Sequence, residues 1–199
     1  MGLAIEIVGL VVFLGAHVFV SMRGHRAKLV AEIGEGAYKG AFSLVSLVGL
    51  FLICYGYARY RAEGFIPVWY PPAWTRYIVQ AAMWPASIAL VAAYIPGDIK
   101  RLLKHPLLVA VKIWAVAHLC ANGDLGGMIL FGAVLAWAVY DRITLKRRTD
   151  VGSPPIPIGG RRNDIIAVIV GTIVYLALGL VFHPIVIGVP VFGPATLGH

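Results

Sequence analysis

Apolar residues fall into six runs along the chain, roughly 3–22, 37–58, 76–95, 106–121, 125–140 and 164–182, with charges collected between them. Runs of about 15 to 22 apolar residues are what a hydrocarbon slab of ~30 Å requires of a crossing helix. Each run is predicted to be helical, because backbone N–H and C=O groups in lipid find partners only within a helix or around a closed barrel. The alternating dyads of a barrel strand are absent. The fourth and fifth runs are short, at about 16 residues each, and need interfacial flanks or local thinning. Asn122-Gly123-Asp124 between them is a turn tripeptide, which makes them a tight hairpin. The expected fold is an all-α, polytopic transmembrane helical bundle of about six spans, forming one integral-membrane domain over 1–199.

Composition sharpens this reading. Of 199 residues, 60% are AVILMFWYC and 13% are charged, and the mean hydropathy is +0.85. A soluble domain carries about twice that charged fraction, so a soluble enzyme, a disordered chain and a secreted disulfide scaffold are excluded. The 17 Lys and Arg set the orientation. Thirteen follow the first, third and fifth runs, whereas Arg59, Arg61 and Arg76 lie on the other side and Lys112 lies inside a run. The positive-inside rule then places both termini outside the cytoplasm. That rule accounts for the net charge of +8 without a nucleic-acid partner. The lipid bilayer is the expected partner, and the sequence leaves the oligomeric state open. The chain up to Glu6 carries that carboxylate and no Lys or Arg, so the first run reads as a retained helix and not as a signal peptide.

The connecting segments add less. Residues 59–75, with Phe65, Trp69, Tyr70 and Trp74 among three prolines, have the character of an aromatic interfacial belt. The Pro/Gly-rich basic linker at 146–163 reads as a cytoplasmic anchor, with anionic-lipid binding as the sharper alternative. The tail 183–199 is apolar but broken by prolines and glycines, and is expected to lie along the outer surface. Cys54 and Cys120 make no framework and are expected to be buried free thiols. Tyr38 reads as an interfacial anchor, and Gly36 and Gly40 as a small-xxx-small pair for close helix approach. Asp124 is expected to form the turn or cap the helix that follows it. Asp141-Arg142 closes the fifth run, where pairing with Lys104 or His105 is expected.

Ionisable groups at membrane depth are costly and therefore candidates for function. Glu6, Leu10, Phe13 and His17 lie on one face of the first run, at steps of 4, 3 and 4. In the fourth run Leu107, Val111, Trp114 and His118 share a stripe, while His105 and Lys112 lie close together on another face. Two histidines on separate membrane helices suit the axial ligation of a haem iron, which bundles hold from facing helices. A haem b would sit among the residues around Phe13 and Trp114, with Lys112 countering a propionate. The pairs open to this use are His17 with His118, His17 with His105, and His118 with His183. Each histidine can equally serve as a hydrogen-bonding group to a neighbouring helix.

KHPLLVAVKIWAVAHLCANGD, followed by AWAVYDRITLKRR, resembles the NnrU family of bacterial inner-membrane proteins, and LGAHVFVSMR and the Tyr38 to Gly49 stretch extend the likeness. The same block is similar, more distantly, to ζ-carotene isomerase, whose superfamily is shared. That resemblance implies a haem b held by two histidines at positions matching His17 and His118, which become the metal-ligand pair. It also implies a cysteine three residues before the second histidine, where this chain has Ala115; Cys120 lies two residues past His118. NnrU relatives are associated with nitrite and nitric oxide metabolism, so a redox or nitric-oxide-responsive centre for a small gaseous ligand is the leading expectation. The alternatives are a polyene isomerase and a lipid-phase methyltransferase, the latter through the Arg-His-Pro-like start Lys104-His105-Pro106. A non-catalytic assembly or transport subunit, with Lys112, His118 and Glu6 lining a polar cavity, has no inverted repeat to support it.

Overall fold

A computed structural model describes residues 1–147 and 159–192. Among them the regular elements are helices: α1 Gly2–Ser21, α2 Arg23–Ile33, α3 Glu35–Ala62, α4 Thr75–Ala92, α5 Asp98–Leu103, α6 Pro106–Ala121, α7 Leu125–Lys146 and α8 Arg161–Ala177. A π-helical extension, Leu178–Ile187, continues α8. Each of the six apolar runs coincides with a helix. Four helices are long and apolar enough to cross a membrane: α1, α3, α7, and α8 with its extension, while α6 is shorter but apolar. The basic linker lies largely outside the described residues, as does the end of the tail.

Two features depart from expectation. Residues 23–33 form α2, a charged helix with no buried residue, which no apolar run announced. The last helix continues past 182 to Ile187 with Pro184 inside it. A proline there lacks a backbone donor and crowds the preceding turn, and the wider π ladder is the form the helix takes around it.

The helices gather into two compact units, Met1–Tyr70 with Asn122–Arg148, and Pro71–Ala121 with Thr149–His199. The first is built on α1 and α3, which run antiparallel with their backbones in contact. A Cβ on Gly9 would stand 2.5 Å from the Ile53 nitrogen, and one on Gly49 would stand 2.8 Å from the Phe13 nitrogen. Gly2 meets Tyr60 and Gly56 meets Glu6 in the same way. Small residues let membrane helices approach this closely, because packing, not the hydrophobic effect, drives their association in lipid. The expected pair, Gly36 and Gly40, faces open space instead. α7 joins this unit, and Asp124 accepts from the Gly127 nitrogen at 2.9 Å as its N-cap, as the turn reading anticipated. The 59–75 segment is tied to that turn, with Val68 and Trp69 nitrogens donating to Gly123 O at 2.7 and 3.0 Å.

The second unit packs α4 against α6 and α8 through alanines. Ala86, Ala89 and Ala92 of α4, Ala115 and Ala117 of α6 and Ala167 of α8 are all buried, and Gly171 of α8 lies against Ile88. Asp164 at the start of α8 accepts from the Asp98 and Ile99 nitrogens at 3.2 and 3.0 Å. This satisfies the open amides of α5, which has no turn of its own to meet them.

Candidate functional site

His17 belongs to the first unit. Its Nδ1 lies 2.7 Å from the carbonyl oxygen of Phe13, one turn back on α1. A carbonyl only accepts, so Nδ1 carries the proton and the lone pair resides on Nε2. Three rings surround the imidazole: Phe13 at 4.3 Å between centroids, Phe42 of α3 at 5.2 Å and Trp137 of α7 at 5.3 Å. The helices that supply them also carry three buried polar atoms with no hydrogen-bond partner, namely Tyr38 Oη, Ser46 Oγ and Trp137 Nε1. Buried donors of this kind are ordinarily satisfied.

Tyr38, Phe42 and Ser46 recur every four residues and share one face of α3. That spacing was readable in the sequence, and with Trp137 it is the part of the surroundings that sequence reasoning passed over. Tyr38 is 6% exposed with the Arg26 guanidinium 5.2 Å above its ring. It is therefore a buried residue and not an interfacial anchor.

His118 belongs to the second unit and repeats the same local device. Its Nδ1 lies 2.8 Å from the carbonyl oxygen of Trp114, so the lone pair is again on Nε2. The Trp114 ring stands 5.3 Å away and the His183 ring, from the π-helical extension, 6.3 Å away at 32°. His183 Nδ1 is buried without a hydrogen-bond partner. The second unit thus brings together one of the pairs left open by the sequence, His118 with His183.

The remaining residues divide plainly. His105 stands just before α6, after Lys104 at φ 60°. Lys112 lines an open apolar groove between α4 and α6 and makes no hydrogen bond or ion pair among the described residues. Asp141 accepts from Ser21 Oγ at 2.8 Å, a partner not foreseen. Ala115, at the position of the isomerase cysteine, is 0% exposed. Cys54 and Cys120 are free but exposed, where buried thiols were expected. Glu6 is 0% exposed, and neither carboxylate oxygen has a hydrogen-bond partner. No group of three or more His, Cys, Asp or Glu able to hold a bare metal ion occurs among the described residues.

Around His17, the aromatic rings and unmet buried donors would suit a planar aromatic macrocycle with polar edges; in the other unit, the Trp114 ring and His183 beside His118 offer a second such setting. A hydrogen bond from the far ring nitrogen to a main-chain carbonyl is the support that metal-ligating histidines ordinarily have. No curated protein and no solved structure matches the chain. The family model described as NnrU protein matches residues 6–191, and the chain belongs to the NnrU family.

Proposed function

We propose that this protein binds haem b in the bacterial inner membrane, in a six-span arrangement with both termini outside the cytoplasm. It serves nitrite and nitric oxide metabolism as a redox or nitric-oxide-responsive component. One observation carries the reading: His17 and His118 both donate Nδ1–H to the carbonyl four residues back, at 2.7 and 2.8 Å. This fixes the tautomer that an iron ligand needs and locks the ring against rotation. Haem iron, when bound, would supply one-electron chemistry and, once one of the two histidines is released, a place for a diatomic ligand. The chain's own residues orient each imidazole, with Phe13, Phe42 and Trp137 around His17 and Trp114 beside His118.

The full-length protein, expressed with haem supplied and purified in an uncharged detergent, is expected to show a Soret band. His17→Ala and His118→Ala are each expected to lower or shift it while the helical circular dichroism is retained. A preparation with no Soret band would overturn the proposal.

A second ligand assignment has its own support. His118 and His183 lie in the same unit with ring centroids 6.3 Å apart, and would be the two residues to hold the iron there. Loss of the band in His183→Ala with retention in His17→Ala would favour that pair.

A further inference from the structure

We propose that the groove between α4 and α6 is a binding site for a single-chain amphiphile ending in a carboxylate, with Lys112 as its counter-ion. The groove encloses about 470 Å³ and is lined by Ile78 and Ala82 of α4 and by Val109, Lys112, Val116 and Cys120 of α6, among others. Its walls are hydrocarbon except at Lys112 and the thiol of Cys120. Lys112 lies six residues after Pro106, about 9 Å along the helix at 1.5 Å per residue, on a helix that is apolar apart from it, His118 and the thiol of Cys120. An unpaired ammonium at such a depth is expensive and marks a ligand or ion path by default.

Among the described residues Lys112 has no counter-charge. Its helical neighbours at three and four residues are Val109, Leu108, Ala115 and Val116, and the residues across the groove are Ile78 and Ala82. The side chain forms no ion pair or hydrogen bond among the described residues. One ammonium balances one negative charge, and a carboxylate is compact enough to be drawn down to it. A phosphodiester carries a bulky, hydrated headgroup that stays at the interface. The tail then follows the groove toward Cys120, eight residues or about 12 Å further along α6. Ala82 and Ala117 leave the room that larger side chains would fill.

The test uses the full-length protein in an uncharged detergent and cis-parinaric acid, a polyene fatty acid that fluoresces in apolar surroundings. Saturable emission is expected with the acid, and binding weaker by about tenfold or more with its methyl ester. Lys112→Leu is expected to lose the same factor and Lys112→Arg to keep most of the affinity. Ala82→Trp, which fills the groove without touching the charge, is expected to abolish binding while the protein elutes and melts as before. Equal binding of acid and ester, or an unchanged Lys112→Leu, would overturn the site. So would competition by an anionic phospholipid as effective as that by a saturated fatty acid. Haem-free and haem-loaded protein are expected to bind alike, so failure of the haem reading leaves this result intact. Displacement of the probe by haemin would assign Lys112 to a propionate and overturn the proposal.

Discussion

A Cβ placed on Gly126 would stand 3.1 Å from Oε2 of Glu6 and 2.5 Å from Cε1 of Tyr60, so α7 passes the buried carboxylate with a residue that has no side chain. Tyr60 has little freedom to retreat. Its hydroxyl accepts from the Ile66 nitrogen at 2.8 Å, and the residue is 4% exposed. Gly126→Ala is therefore expected to destabilise the protein by about 1–3 kcal/mol, the ordinary cost of overpacking, as a lower thermal midpoint in detergent.

Glu6 itself is expected to respond in the opposite direction. Its carboxylate is fully buried with no donor, and an unpaired buried charge is among the costliest groups a fold can hold. Glu6→Gln keeps the shape and removes the ionisable group, so its thermal midpoint is expected to match or exceed that of the parent. Glu6→Ala, which leaves a cavity, is expected to lower it. A fall in Glu6→Gln as large as in Glu6→Ala would show that the charge itself has an unseen partner.

The glycines of α3 are expected to separate into two classes. Gly49→Ala and Gly56→Ala drive a methyl into the backbone of α1 and are expected to cost several kcal/mol or abolish folding. Gly36→Ala and Gly40→Ala face open space and gain about 1 kcal/mol of helix propensity each. Thermal unfolding of the four variants side by side reads the contrast directly.

Asp124 caps α7 from a 5% exposed position and has Arg61 3.9 Å from its other oxygen. Loss of such a cap costs about 1–2 kcal/mol. Asp124→Ala is expected to lose that amount, and Asp124→Asn, which can still accept from Gly127, to lose less. Circular dichroism melts of the two variants measure the difference.

Glu63 gives the acid limb of the stability profile. The main-chain nitrogens of Gly2 and Met1 donate to Oε2 at 3.0 and 2.8 Å, and Arg59 donates to Oε1 at 2.9 Å. Together they lower the carboxyl to about 2 from 4.5. Because the folded value is the lower one, its contribution is whole above 4.5 and disappears as pH falls toward about 2. Glu63→Gln is expected to flatten part of the acid decline in the thermal midpoint, by a modest amount at so exposed a site.

The helices were legible because the apolar runs of a membrane protein answer to one constraint, the satisfaction of backbone polar groups in lipid. The same signal is silent on α2, whose residues from Arg23 to Ile33 are polar and bury nothing. Which glycines make a contact was not legible either. Gly36 and Gly40 have the right spacing, yet only the antiparallel register of α1 on α3 selects Gly49 and Gly56. His17 and His118 stood out from type and position alone. Their shared hydrogen bond to the fourth residue back needed the side-chain torsions, which no spacing reports.

Where α1 lies on α3, main chain touches main chain, and there is no rotamer between them to absorb a displacement. The two helices form a single stiff strut, so a force applied to either is transmitted whole to its ends. The chain leaves that strut at Met22 and rejoins it at Gly34 with its φ of 82°, and α2 between them buries nothing.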